Sequence, residues 1–176
     1  MTRANPFRGG RIVFLWLVLA LPSGADSTTA ETAPPPAGQV IEALQEADFE
    51  FVARSLLLAK RLIKETTGSE PDGTRADLQR IQKVLDSSEE LSAPELHALG
   101  LTLGRIFLSQ FEGFDWWMVQ DQYGRDPGLR YRETRLIIFP MTMLSKRVER
   151  GEPLDVESLF DNVVVQVRAA MPNADN

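Results

Sequence analysis

Five side chains in one short stretch have the means to hold an anion. Trp117, Tyr123, Arg125, Arg130 and Arg132 lie on or beside a single turn. Arginine presents a planar fork of N–H donors that matches a carboxylate or a phosphate. An exposed Trp is a favoured binding anchor. From Arg125 to Arg150 the chain carries seven Arg and Lys against three acids, a net +4 in a protein of formal charge −6. Two uses compete for this charge. One is pairing inside the fold with the acids Glu42, Glu46, Asp48 and Glu50. The other is a site for an anionic partner. If the stretch after the turn is a strand, Arg130 and Arg132 share one of its faces.

Other chemistries find little to work with. The chain has no Cys and one His, His97. Thiol catalysis, disulfides, Cys-ligated metal and multi-His sites are excluded. No G-x-S-x-G or S-x-x-K nucleophile pattern is present. Asp121, Gly124 and Asp126 give D-x-x-G-x-D, which lacks the closely spaced oxygens of a calcium loop. It reads instead as a turn with Gly124 at positive φ. The expectation is no catalytic residue, no metal and no cofactor. Carboxylate pairs such as Asp115 with Asp121 are the only acid–base material for a hydrolase.

The start of the chain sets the expected compartment. Arg3, Arg8 and Arg11 precede the apolar run Ile12 to Leu21, and Pro22-Ser23-Gly24-Ala25 follows. A basic region, a short apolar region and small residues at a cut site form a secretory signal. Residues 1–25 are read as that signal, with cleavage between Ala25 and Asp26. Ten apolar residues make about 15 Å of helix, too short for a span. The mature chain keeps 16 Lys and Arg against 25 acids, a net −9, which argues against nucleic acid as a partner. No transmembrane segment is expected after processing, and the chain is placed in the periplasm or outside the cell.

The elements must then position these residues. Residues 26–38 are Pro-, Thr- and Ala-rich and read as a disordered linker. Val40 to Glu65 reads as one long helix, with Val40, Leu44, Ala47, Phe51 and Leu58 on a stripe that Ile41, Val52, Leu56 and Ile63 widen. A second helix covers about Ala76 to Asp86. Ser92-Ala93-Pro94-Glu95 is a capping box that opens a third, ending near Phe111. Gly100 and Gly104 lie one turn apart on it and ask for a close neighbour, the sheet or the first helix. Phe114 to Gln122 reads as a strand that sends Trp116 and Trp117 to opposite faces. Tyr123 to Gly128 is turn chemistry, with a return strand from about Leu129 and another at Leu136 to Phe139. Pro140 closes that strand. A helix over Met141 to Arg150 and one capped by Asp155 and running to Ala170 complete residues 39–172 as a single domain. Residues 173–176 form a disordered tail. The fold class is α+β: three N-terminal helices packed with a small antiparallel sheet, then two helices.

The order of certain residues carries a resemblance. Gly100 and Gly104 on a helix, Gly113, Trp116-Trp117, Asp121-x-Tyr123-Gly124, Phe139-Pro140 and Ser145-Lys146-Arg147-Val148-Glu149-Arg150-Gly151 follow one another from Leu91 to Phe160. This stretch resembles an uncharacterised bacterial family of the domain-of-unknown-function kind. The resemblance implies an α+β fold and brings no activity, cofactor or site residue. The combined expectation is an exported, non-catalytic domain binding a protein or anionic envelope partner. The alternative is an envelope hydrolase using Asp or Glu as acid and base.

Overall fold

Residues 38–88 and 90–171 are described by the computed structural model. The signal, its cut site, nearly all of the linker and the tail lie outside the described residues. Nine elements follow in order: β1 (Val40–Ala43), α1 (Glu46–Thr67), α2 (Ala76–Ser87), α3 (Ala93–Gln110), β2 (Phe114–Asp121), β3 (Gly124–Tyr131), β4 (Ile137–Ile138), α4 (Pro140–Glu149) and α5 (Val156–Ala170). The strands form one antiparallel sheet in the order β1-β2-β3-β4. The class is α+β, with three helices before the β2–β4 meander and two after it.

The start of the long helix is corrected. Val40–Ala43 is an edge strand paired with β2 (Val40 opposite Gln120, Ala43 opposite Trp117), and the helix begins only at Glu46. Val40 and Ile41 satisfy either period, so a short apolar run next to a real helix was absorbed into it. What separates the two is the cap. Asp48 Oδ2 accepts the Gln45 backbone N–H at 2.9 Å, which closes the first turn. The inward stripe also differs. Leu44, Val52, Ala59 and Ile63 are buried, whereas Ala47 and Phe51 face solvent. Gly68 ends α1 at φ 75°, its N–H on the Lys64 carbonyl.

The hairpin is tighter than its composition suggests. Asp121 pairs with Gly124, so the turn is Gln122-Tyr123 alone, and Gly124 to Gly128 belongs to β3. The Tyr123 N–H donates to Asp121 Oδ1 at 2.7 Å, an Asx turn that needs no longer loop. Pro127 sits inside β3, tolerated because β4 pairs only with Leu129 and Arg130 and leaves β2 as the single strand beside Pro127. β3 ends at Tyr131. Arg132 lies in the following turn at φ 48°, its N–H on the Gly113 carbonyl at 2.6 Å. It therefore does not share a strand face with Arg130.

α3 runs through the middle of the core. Leu99, Leu103, Ile106 and Phe107 are fully buried, against Ile63 of α1, Ile81 of α2, Leu144 of α4 and Phe160 of α5 in one cluster. Its Ser92–Glu95 cap forms as read, with Glu95 Oε2 accepting the Ser92 N–H at 2.8 Å. The glycine pair does mark close approach, to two different neighbours. A Cβ at Gly100 would lie 2.5 Å from the Pro140 carbonyl oxygen, at the start of α4, and one at Gly104 would lie 2.5 Å from the Trp116 ring. Gly104 thus meets the sheet, as expected, while Gly100 meets a helix the sequence had not brought there. In the first turn of α2, the wholly buried Asp77 gathers the N–H groups of Asp72 and Gly73 (2.7 Å from Gly73) and an Arg80 Nη1.

Candidate functional site

The five residues of the turn region do not form one site. Along β3, Pro127, Leu129 and Tyr131 point to the helices, so Arg125 does too, and Arg130, an odd number of residues away, points to the other face. Arg125 crosses to α1. Its Nη1 and Nη2 lie 2.5 and 2.8 Å from the two carboxylate oxygens of Asp48, and its Nε is 3.4 Å from Glu42. The Arg125 hydrogen bonds first, and the Gln45 backbone N–H second, pull the Asp48 carboxyl down from 3.8 to about 2 against the opposing effect of burial. The Arg125 guanidinium is raised in turn. Two of the acids considered from sequence as internal partners are the ones it meets.

On the opposite face the Arg130 guanidinium lies 5.0 Å from the centroid of the half-buried Trp117. Arg130 also donates Nε and Nη2 to the carbonyls of Thr134 and Glu133, at 2.9 and 2.7 Å. Arg132 stacks on the Tyr131 ring at 5.2 Å, and Tyr123 stands 60% exposed at the turn. The structure brings Trp117 and Arg130 together and holds the other three apart from them.

A cleft of about 560 Å³ lies elsewhere, between α4, the loop after it and α5. Pro140 opens α4 and Asp155 caps α5 by accepting the Ser158 N–H at 2.6 Å, so both walls are fixed at their starts. The floor is apolar: Ile138, Phe139, Met143, Leu159 and Val163. Lys146, Arg147 and Arg150 line the α4 side, and Ser158, Asn162 and Gln166 line the α5 side. Arg147 donates to the Met143 carbonyl within its own helix, and Arg150 meets Glu152 across an exposed 3.2 Å pair. The Ser158 N–H holds the Asp155 carboxyl below its ordinary range. The volume falls in the range of small-ligand clefts.

Sequence reasoning flagged the three cations as part of a basic stretch and missed the polar wall. The signal was present: residues 158, 162 and 166 recur every four positions and so line up along one side of a helix. Asp126, a turn residue by its sequence neighbours, belongs instead to a strand. It sits half-buried in β3, where burial raises its carboxyl, the charges of His97 and Lys146 lower it, and Asp121 raises it. Among the described residues there is no group of three or more His, Asp or Glu placed to hold a metal, and no helix is long and apolar enough to cross a membrane.

No curated protein matches this chain. A solved structure from Bacteroides thetaiotaomicron VPI-5482 is similar to it, with a TM-score of 0.65 and 21% identity over 72% of this chain and 47% of that one. At that identity the likeness is one of fold, and the chain spans about half the length of that protein. Residues 77–160, from α2 through the first turns of α5, match the model of a family described as a domain of unknown function (DUF3806), so the order of glycines, tryptophans and Ser-Lys-Arg residues does carry a resemblance to an uncharacterised domain family.

Proposed function

We propose that this is an exported, non-catalytic binding domain that takes an anionic, partly apolar segment of a protein or envelope partner in the α4–α5 cleft. The single observation that carries the reading is the cleft's division: an apolar floor, three cations on one side and neutral polar groups on the other, with the two lining acids already engaged, Glu152 by Arg150 and Asp155 by the Ser158 N–H. Such a surface buries an apolar body and fixes the position of an attached carboxylate or phosphate. The turn-region arginines suit it less. Arg125 and Arg130 already have most of their donors engaged, by acids and by backbone carbonyls.

The test is capture from an envelope extract by the mature domain, with bound material identified by mass spectrometry. Arg147→Gln with Arg150→Gln is expected to weaken capture and its salt dependence while shifting stability by no more than about 0.5–1 kcal/mol. Capture that is indifferent to these changes and lost in Trp117→Ala would move the site to the other face of the sheet. Export is tested separately: amino-terminal sequencing of periplasmic material should begin at Asp26. Material that keeps Met1 and pellets with membranes contradicts it.

One observation favours the alternative, an envelope hydrolase. A carboxyl raised by burial suits a general acid, and burial raises Asp126 against the lowering charges of His97 and Lys146. On that reading Asp126→Asn removes hydrolysis of envelope polymers. On the binding reading it leaves capture intact.

A further inference from the structure

α1 has two faces with different fates. Asp48, Val52, Ala59 and Ile63 turn into the protein. On the far side Glu46, Glu50, Ala53, Leu57, Lys60 and Lys64 follow one another at spacings of four, three, four, three and four. That is the a/d spacing of a coiled-coil seam, and it faces solvent along the whole 22-residue helix. Leu57 in its centre is 63% exposed, and Phe49, which flanks it one residue before Glu50, is 61% exposed. No other described element covers this row.

The row is also ordered by charge. Its first two members are acids, its last two are lysines, and Ala and Leu stand between them. Turned end over end about a point midway between Ala53 and Leu57, it meets its own complement. Glu46 falls opposite Lys64, Glu50 opposite Lys60, and the small Ala53 opposite the large Leu57, each twice. Antiparallel coiled coils pair their a and d positions in this way. A parallel pairing would set acid on acid and lysine on lysine. We propose that this seam is a homodimer interface, on which a second copy of the chain packs its own α1 antiparallel, with a two-fold axis between Ala53 and Leu57.

Existing contacts leave room for this. Lys60 and Lys64 each lie 2.8 Å from Glu70, but their side chains stay 47% and 59% exposed, and exposed pairs of this kind are weak enough to be shared. Arg54, which flanks the axis, turns back along its own helix with its Nε on the Glu50 carbonyl at 3.3 Å. α1 lies before residue 77, outside the part that matches the family model, so the interface and the cleft are carried by different parts of the chain.

Sedimentation of the mature protein over a concentration series tests the proposal, with charge reversal as the discriminating arm. Glu46→Lys with Glu50→Lys makes the seam wholly basic, and Lys60→Glu with Lys64→Glu makes it wholly acidic. Each variant alone is expected to dimerise at least about tenfold more weakly than the parent, and an equimolar mixture to recover association as a heterodimer. Leu57→Glu should abolish it. Circular dichroism and a thermal melt verify that each variant is folded before its mass is read. A parent chain that stays monomeric throughout overturns the proposal. So does a dimer that survives both reversals, or a mixture that fails to associate while both folded variants are present.

Discussion

Asp48 closes the first turn of α1 with Oδ2 and holds the Arg125 fork with both carboxylate oxygens. Asp48→Ala therefore leaves a backbone N–H and a guanidinium short of acceptors, and should cost about 2 kcal/mol in chemical denaturation. The pH dependence has a definite sign. The folded carboxyl sits at about 2, below its ordinary 3.8, so its contribution is complete above about pH 4 and fades as pH falls toward 2. Parent and Asp48→Ala melting curves should converge over that window. Asp126 has the opposite sign. Its folded carboxyl is raised, so its charged form opposes folding at neutral pH, and this penalty disappears as the group protonates on acidification. Asp126→Asn is expected to raise the denaturation midpoint at pH 7, by an amount that shrinks on acidification. A midpoint that falls instead contradicts burial as the cause. Glu42 and Asp48 are among the acids that the sequence offers the arginines as internal partners. It left open which arginine would reach them, because that depends on the parity of positions in β3, and the strand was read as starting five residues late.

At the scale of elements, the helices were legible, except for the start of α1, and the strand ends were not. Ser92-x-x-Glu95, Asp155 and Pro140 mark starts through local hydrogen bonds that a short window contains. β1 has no such mark, because its partner lies up to eighty residues away, Val40 opposite Gln120. The two-residue turn at Gln122-Tyr123 was hidden by a Gly, an Asp and a Pro that look like loop and sit in a strand. The glycine pair was read as close approach, and its two neighbours make separate predictions. Gly100→Ala gains helix propensity yet drives a Cβ onto backbone oxygens of Pro140 and Met141 that have no rotamer to yield. It should lose about 1–3 kcal/mol. Gly104→Ala presses on the Trp116 ring, a side chain that has some freedom to move, and should be accompanied by a change in Trp fluorescence. Asp77→Ala, at the head of α2, strands two backbone donors and Arg80, and is expected to cost about 3 kcal/mol.

Across the whole molecule, the core joins all five helices and the sheet without a covalent staple. Thermal melts with and without chelator and reductant are expected to overlay. A fall of more than about 5 °C, which for a domain of this size is more than about 1 kcal/mol, contradicts that. The α+β class and the two-helix ending were readable because hydrophobic periodicity is a local property. The cleft was not, since its walls come from two helices whose facing sides only tertiary packing selects. Arg125 reaches from the hairpin to Glu42 on β1 and Asp48 on α1, so one side chain ties the edge strand and the first turn of α1 to the hairpin, while the rest of α1 is held by the core. The four-residue edge strand β1, paired on one side only, is then a detachable flap. Native-state hydrogen exchange should find the amides of Val40–Ala43 opening well below the energy of global unfolding, while those of the β2–β3 hairpin stay closed. Arg125→Gln should widen that gap, since it loosens the latch and leaves the hairpin ladder as it is.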